Sequence, residues 1–132
     1  MSESLNTMQS NDIQKYAKKS IPQLLKLAEK HFNAWIRKRD SKNGYFTCIS
    51  CRKTYPLSQM NAGHYWPSGN YSVHRFDEWN VNGQCGFNCN KMKSGNLAEY
   101  KIGLIKKIRE VNFKWLEYNR YAKVKWDKYT LI

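Results

Sequence analysis

Four cysteines constrain this chain more than any other feature, because they fall in two close pairs. Two residues separate Cys48 from Cys51, and three separate Cys85 from Cys89. Closely spaced thiolates supply the tetrahedral sulfur set that structural zinc prefers. Two local disulfides or four buried thiols are the alternatives, and a reducing compartment disfavours the disulfides. The spacing therefore predicts a core that is stabilised by a zinc ion.

The charge balance indicates a polyanionic partner. The 132 residues include 23 Lys and Arg against 10 Asp and Glu, which gives a formal net charge of +13. Such an excess favours nucleic acid. A membrane surface also attracts basic chains, but no apolar stretch approaches the roughly 20 residues that a membrane span requires. The N-terminal sequence lacks the apolar core of a secretory signal, so we expect the protein to stay in the cytoplasm. Together with the charge, this favours a DNA-binding protein.

The pattern of apolar residues divides the chain into four segments and predicts an α+β fold. Residues 1–19 are polar and aperiodic, which is typical of a flexible leader. Residues 20–40 carry apolar side chains at helical spacing after Ser20, a favourable helix-capping residue. Residues 41–100 contain turn signals and both cysteine pairs, so we expect short strands around a metal. Residues 101–132 are expected to form a basic helical region.

The last segment combines cations with aromatic rings. It contains nine basic and three acidic residues, and aromatic side chains recur among them. Rings among cations either stack on nucleic-acid bases or pack on the protein core. We expect most of the rings to pack on the core and the cations, Lys106 and Lys107 among them, to contact phosphate.

Three motifs in the middle segment follow one another in a distinctive order. They are CISC at 48–51, AGHY at 62–65 and NVNGQCGFNCNKMK at 80–93. The order resembles that of the HNH nucleases, in the variant whose last letter is an asparagine, here Asn90. That subgroup includes the phage Holliday-junction resolvase of the endonuclease VII type. The resemblance implies a ββα-metal, treble-clef-like core that is built on a zinc knuckle.

A closer resemblance extends from about residue 21 to about residue 110. FNAWIRKRD at 32–40, RFDEWNV at 75–81 and CNKMKSGNLAEYKIGL at 89–104, together with the motifs above, are similar to the phage NinG (Rap) recombination proteins. This family implies an endonuclease that acts on branched DNA, such as Holliday junctions or D-loops, in phage recombination. A junction has two symmetric strands to cut, so a homodimer is the matching assembly. A phage recombinase is a further expected partner.

The resemblance also implies a role for three polar residues. His64 is the expected general base, since histidine is the side chain best suited to remove a proton near neutral pH. Asn90 is expected to give an oxygen ligand to Mg²⁺ or Mn²⁺, which offsets the negative charge of the transition state. Asn80 is expected to brace the loop that bears His64.

Two departures from the HNH pattern bear on this site. The second cysteine pair has one residue more than the usual knuckle, and Gly63 stands where many HNH enzymes have a metal-binding aspartate. The catalytic ion then needs more water and phosphate ligands or another carboxylate, for which Asp77 and Glu78 are nearest in sequence. The main alternative is therefore an inactive zinc-knuckle protein that binds DNA as a recombination accessory. A zinc-dependent protein-interaction module is a third possibility, which the charge disfavours.

Polar residues near the motifs complete the predicted DNA surface. His74 and Arg75 lie on the loop side of the site, where they would contact the phosphates of the cut strand. Lys91 and Lys93 would reach phosphate if a helix begins at Asn90. Each of these residues has an ordinary alternative as a solvated surface side chain.

Overall fold

The computed structural model describes residues 14–67 and 71–122, and the chain divides into two units. The smaller unit comprises residues 1–31 and 125–132, and the larger one residues 32–124. The prediction of a flexible leader falls mostly outside the described residues, although residues 14–17 are helical. The end of the predicted basic C-terminal region also lies outside them.

A capped helix, α1, spans Ile21–Asp40, and the boundary between the two units falls within it. The Ser20 hydroxyl accepts a hydrogen bond from the Gln23 amide at 3.3 Å, and the Gln23 side chain accepts one from the Ser20 amide at 2.9 Å. This reciprocal pair satisfies two amides that the first turn leaves without helical partners. The predicted helix and its serine cap are confirmed.

The larger unit contains two small antiparallel sheets. The first has the order β1-β2-β3, with β1 at Ser41–Lys42, β2 at Tyr45–Thr47 and β3 at Thr54–Pro56. The second pairs β4, Met60–His64, with β5, Val81–Cys85. Every residue of β5 is buried, although Asn82 and Gln84 are polar and Gly83 has no side chain. Together with the helices, these sheets give the mixed α+β architecture that the sequence predicted.

Helices follow the second sheet. A π-helix, Gly86–Met92, begins directly after β5, and then come α2, Leu97–Ile108, and α3, Glu110–Tyr118. Arg109 separates α2 from α3 with a backbone φ of 73°. The predicted boundary between core and C-terminal region, at residue 100, therefore falls inside α2. Among the described residues, no helix combines the length and apolarity that crossing a membrane would take.

Two apolar clusters form the core. The first surrounds the four cysteines and includes Phe46 and Met60, and the second joins α2 to α3 through Tyr100, Leu104, Ile108, Phe113 and Leu116. Of the aromatic rings in the described part of α3 and the turn after it, Phe113 is buried, whereas Trp115, Tyr118 and Tyr121 are exposed by 48%, 87% and 66%. The expectation that most rings in this region pack on the core is therefore wrong for the described residues.

The end of α1 is tied to β5 and α2 by a buried carboxylate. Asp40 accepts hydrogen bonds from the Gly83 amide, from its neighbour Arg39 and from Lys107, each within 2.8 Å. Burial alone would raise the pKa of Asp40, but the two cations and the amide outweigh it and hold that pKa below its usual value. The carboxylate stays ionised and holds three elements together.

Candidate metal centre and catalytic site

The four cysteine sulfurs converge on one point. All four lie within 4.8 Å of one another, and the Cys51 and Cys85 sulfurs are 3.9 Å apart. Zinc–sulfur bonds of about 2.3 Å in a tetrahedron separate the sulfurs by about 3.8 Å. The cysteines are not joined as disulfides. This donor set and its spacing fit a structural zinc ion, whose four positions the thiolates would fill.

Backbone amides hold the first cysteine pair in place. The chain turns tightly after Cys48, where the Arg52 amide donates to the Cys48 carbonyl at 2.9 Å. Arg52 adopts a left-handed conformation with a φ of 61° to close the turn. The amides of Cys51 and Cys85 then donate to the Cys48 sulfur at 3.5 and 3.4 Å. Such donors orient a thiolate and offset its charge.

The π-helix accommodates the extra residue of the second cysteine pair. Gly86–Met92 winds more widely than an α-helix, with Cys85 at its N-terminal cap. The Cys89 amide donates to the Cys85 sulfur at 3.3 Å, and the Asn96 side chain donates to the Cys89 sulfur at 3.5 Å. The wider turn returns the second sulfur to the first despite three intervening residues. The unusual spacing therefore still leaves all four sulfurs together.

The environment of the thiols differs from one to the next. Burial would raise the pKa of Cys51, but hydrogen bonds from the Tyr55 hydroxyl and the Lys53 backbone lower it to about 7. Burial raises the pKa of Cys48, and it raises that of Cys89 to about 12. Because a bound metal requires thiolates, metal binding would release protons from the more buried cysteines.

His64 ends β4 with a defined ring orientation. The ring is half-buried, and its Nε2 lies 2.9 Å from the carbonyl oxygen of Arg75. A carbonyl oxygen only accepts hydrogen bonds, so Nε2 carries the proton and Nδ1 is the basic nitrogen of the neutral ring. An imidazole held through one nitrogen is oriented to take a proton at the other.

Asn80 links the two chain segments around His64. Its side-chain oxygen accepts from the Trp66 amide at 2.9 Å, and its nitrogen donates to the carbonyls of Trp66 and His74 at 3.0 and 2.9 Å. The residue is fully buried. These bonds join the segment that follows His64 to the segment whose Arg75 carbonyl holds the His64 ring. Asn80 is thus in a bracing position, while its part in catalysis stays a prediction.

The strand register places His64 and Asn90 on opposite sides of β4. Successive residues of a strand point to alternate faces, so His64 lies on one face and Asn61 and Gly63 on the other, with Gln84 opposite Asn61. Asn90 belongs to this second face, because its Nδ2 donates to the Gln84 oxygen at 3.0 Å. The motifs predict that the His64 ring and the Asn90 oxygen converge on one pocket across a phosphate. The register instead places them on opposite faces of β4, with Asn90 beside Gln84 and Asn61.

Sequence reasoning missed Gln84, the residue that contacts Asn90. Gln84 is 1% exposed, and its nitrogen donates to the Ser50 hydroxyl at 2.8 Å and to the Gly95 carbonyl at 2.5 Å. No local feature of the sequence marks Gln84, because the burial of its strand is known only from the fold, where its buried amide has to be hydrogen-bonded. Only the register of β5 against β4 brings it beside Gly63.

The acidic residues proposed as additional ion ligands have other neighbours. Asp77 accepts from the Trp79 amide at 2.9 Å and lies 3.9 Å from the His74 ring. Burial raises the pKa of Asp77 above its usual value. Both Asp77 and Glu78 line an apolar groove together with the exposed Trp35 and other rings of α1 and α3. These neighbours differ from the amides that surround Asn90, so the structure does not support Asp77 as a ligand of the same ion.

The predicted contact of His74 with DNA is wrong. The residue is completely buried, and its Nε2 donates to the carbonyl of Leu116 at 2.6 Å. A side chain without exposed surface cannot reach a phosphate, and His74 instead connects its loop to α3. Arg75 is half-buried, and its guanidinium lies 5.6 Å from the Phe76 ring.

The predicted lysines divide into two groups. Lys91, Lys93 and Lys106 are exposed. Lys107 donates to Asp40 at 2.8 Å and to Asn82 at 2.7 Å. Its charge is therefore paired within the protein, which does not support the predicted phosphate contact. The helix that carries Lys91 begins at Gly86 and ends at Met92, so the condition of a helix that begins at Asn90 is not met. Lys91 and Lys93 therefore lie at a helix C-terminus.

The fold and the site together define a class: a mixed α+β protein of small antiparallel sheets and helices, in which four clustered cysteines could hold a metal ion such as zinc. The family model described as Bacteriophage Lambda NinG protein matches residues 3–131. The chain therefore belongs to the NinG family, as its motifs predicted. No solved structure matched the chain.

Several phage proteins share extended similarity with this chain. Protein ninG of Salmonella phage P22 is 42% identical over 96 residues, which cover 73% of this chain and 45% of that protein. Protein ninG of Escherichia phage 933W is 39% identical over 107 residues, 81% of this chain and 51% of that protein. Protein ninG of Escherichia phage lambda is 38% identical over 107 residues, with 81% and 50% covered. The chain thus spans about half the length of the curated relatives it matches.

Proposed function

We propose that this chain is a metal-dependent DNA endonuclease of the HNH class that acts on branched intermediates of phage recombination. The antiparallel strands β4 and β5 are followed by the helix Gly86–Met92, and the four-cysteine cluster lies where β5 meets that helix. Two strands followed by a helix is also the order of elements in a ββα-metal unit. The observation that carries the proposal is the His64 ring, held by the Arg75 carbonyl at the end of β4. On the opposite face of the same strand lies the amide of Asn90, beside Gln84 and Asn61.

The reaction assigned to this site is hydrolysis of one phosphodiester. His64 takes a proton at Nδ1 from a water molecule as the water oxygen bonds to phosphorus. The bond from phosphorus to the 3′ oxygen breaks, and that oxygen receives a proton from solvent, which leaves 5′-phosphate and 3′-hydroxyl ends. Asn80 keeps the two segments around His64 in register during this step.

Asn90 is the residue proposed to hold the divalent ion. Its side-chain oxygen is of the hard type that Mg²⁺ and Mn²⁺ prefer. The ion would supply electrostatic stabilisation of the departing oxygen. Mg²⁺ keeps several water ligands in protein sites. In this proposal, water and substrate phosphate complete the ligand set that Gly63, which has no carboxylate, leaves open. The thiolate site is a separate, structural one.

The DNA surface follows from charge. The net charge of +13 and the exposed side chains of Lys91, Lys93 and Lys106 provide a sequence-independent attraction to phosphate. We propose branched DNA, a homodimer matched to a two-strand substrate and a phage recombinase as partners, in the cytoplasm of the host cell. Arg75 is a further candidate contact, because its segment also holds the His64 ring.

One observation favours a second candidate function, an inactive DNA-binding accessory protein. A Cβ atom at Gly63 would lie 2.5 Å from the Gln84 oxygen, so that oxygen occupies the space of the aspartate that other HNH enzymes place there. An HNH-like protein that has lost its nuclease activity is expected to lack that carboxylate. It would still bind DNA with strong dependence on salt.

A cleavage assay separates the two candidates. The zinc-loaded protein is incubated with a four-way DNA junction and with linear duplex of the same sequence, in Mg²⁺, in Mn²⁺ and in chelator. We expect metal-dependent cuts in the junction that are reduced at least about 100-fold in His64→Ala, in line with the usual contribution of a general base.

His31→Ala is the matched control for that assay, because His31 is exposed on α1 and the same group is removed. Its cleavage should equal that of the wild type. Junction binding without metal-dependent cleavage by the wild type would favour the accessory function over the enzyme. Affinity that hardly changes between low and moderate salt would instead support the protein-interaction module.

A further inference from the structure

Three amides on the Gly63 face of β4 are oriented by a single backbone carbonyl. The Gly95 carbonyl can only accept, so the Gln84 atom 2.5 Å away is the nitrogen. The Gln84 oxygen must then face Asn90, whose nearer atom must be the donor Nδ2, at 3.0 Å. The Asn90 oxygen is thereby turned away from Gln84 and lies 3.4 Å from the Asn61 side-chain nitrogen. The orientations of the Gln84 and Asn90 amides therefore follow from which atoms can donate and which can accept a hydrogen bond.

Gln84 is itself held from two sides. Its nitrogen also donates to the Ser50 hydroxyl at 2.8 Å, and Ser50 lies between Cys48 and Cys51 in the zinc knuckle. The Gly95 amide donates to the carbonyls of Cys89 and Asn90 at 2.8 and 3.0 Å, which fixes the turn that presents the Gly95 carbonyl. Gln84 is fully buried between these anchors. The metal-binding cysteines therefore determine where the Gln84 oxygen lies.

The same geometry explains the glycine at position 63. A Cβ there would lie 2.5 Å from the Gln84 oxygen and 3.2 Å from the Gln84 Cβ. Contacts below about 3.0 Å do not occur for real Cβ atoms, so a side chain at 63 and the present position of Gln84 exclude each other. An aspartate and Gln84 are thus alternative occupants of one space beside Asn90.

We propose that Gln84 is the positioning residue of the divalent-ion site, which turns the Asn90 oxygen toward the ion and takes the space of the missing aspartate. The inference rests on the proposed function, because it assigns Asn90 to that ion. Gln84 does not touch the ion. Without the Gln84 oxygen, the Asn90 nitrogen loses its acceptor, and only the longer 3.4 Å contact from Asn61 still distinguishes the two ends of the Asn90 amide.

Binding of Mn²⁺ to the zinc-loaded protein tests the assignment without any cleavage. The six-line electron paramagnetic resonance signal of free Mn²⁺ is titrated with wild type, Asn90→Ala, Gln84→Met and Gln59→Met. Methionine keeps the length of glutamine but offers no amide, and Gln59 is an exposed glutamine of the larger unit, which makes it the matched control. We expect affinity to fall at least about tenfold in Gln84→Met, as for other residues that orient metal ligands. Gln59→Met should bind as the wild type does.

A double variant tests the shared space. Gly63→Asp with Gln84→Ala places a carboxylate where the amide was, and we expect it to bind Mn²⁺ at least as tightly as the wild type does. Gly63→Asp alone should lose affinity or fold poorly, because the two side chains collide. Zinc content and far-ultraviolet circular dichroism verify folding of each variant. This rescue keeps the test decisive if Gln84→Met is unstable.

The outcomes distinguish this inference from the proposed function. If wild type and Asn90→Ala bind Mn²⁺ equally, Asn90 holds no ion, and the proposed function loses its metal site. If Asn90→Ala weakens binding, Gln84→Met binds as the wild type does and the double variant binds no more tightly than Gly63→Asp alone, the ion site stands and the role of Gln84 is overturned. Weakening in Gln84→Met with recovery in the double variant supports both.

Discussion

At the scale of single residues, a buried hydroxyl positions the backbone of Gly63, which directly precedes His64. The Tyr100 hydroxyl is completely buried, and burial raises its pKa, so it stays protonated. It donates to the Gly63 carbonyl at 2.6 Å and accepts from the Asn82 side chain at 3.2 Å. The apolar spacing between Leu97 and Ile108 predicts a helix whose apolar stripe includes Tyr100. The partner of its hydroxyl could not be predicted, because that contact joins residues far apart in sequence.

Removing that hydroxyl should cost stability. Tyr100→Phe leaves the Gly63 carbonyl and the Asn82 amide each without one buried partner, for which we expect a loss of about 1–3 kcal/mol in the free energy of unfolding. Urea denaturation of the zinc-loaded protein measures it. Tyr118→Phe is the matched control, because Tyr118 is 87% exposed and should change the free energy little. Equal midpoints for the two variants would contradict the assigned role.

At the scale of elements, α2 lies directly against the zinc knuckle. A Cβ on Gly103, in the middle of α2, would be 2.0 Å from the backbone oxygen of Ile49, which lies between Cys48 and Cys51. Glycine costs about 1 kcal/mol relative to alanine in a helix interior, so its presence here reflects this close approach. The helix itself could be predicted from its apolar spacing. The reason for its glycine required the position of the knuckle.

Alanine at position 103 is therefore expected to destabilise the protein, against its helix propensity. Gly103→Ala would gain about 1 kcal/mol from propensity but lose about 1–3 kcal/mol or more from the clash with backbone. A lower melting temperature and weaker zinc retention should result. Lys106→Ala, an exposed substitution in the same helix, serves as control and should melt as the wild type does. A higher melting temperature for Gly103→Ala would show that α2 can move away at little cost.

At the scale of the whole molecule, the sulfur cluster connects the first sheet to β5 and to the π-helix within the larger unit. The first cysteine pair follows β2, the second closes β5 and opens the π-helix, and both surround the apolar cluster of Phe46 and Met60. Such short strands have little stability of their own. The energy of zinc binding, about 10 kcal/mol or more in small motifs, is then largely folding energy.

Loss of one ligand should therefore unfold the larger unit. Cys48→Ser replaces a buried sulfur that accepts two backbone hydrogen bonds, and we expect it to lose its zinc and its cooperative melting transition. A chelator should do the same to the wild type, and added zinc should reverse the effect. Zinc content and circular dichroism melts provide the measurements. A normal transition with full zinc content in Cys48→Ser is the result that would refute a scaffold role for the metal.

The sequence by itself determined the local features of this protein: the capped first helix, the zinc-type cysteine pairs, the family and the polar residues of its motifs. The helix cap and each cysteine pair depend on residues close together in the chain, where propensity, spacing and hydrogen-bond chemistry act directly, and the family follows from the order of the motifs. Tertiary structure alone decided that His74 is buried, that Lys107 pairs with Asp40 and that Gln84 fills the space beside Gly63. These outcomes depend on strand register and helix packing, in which a shift of one residue reverses the face a side chain occupies.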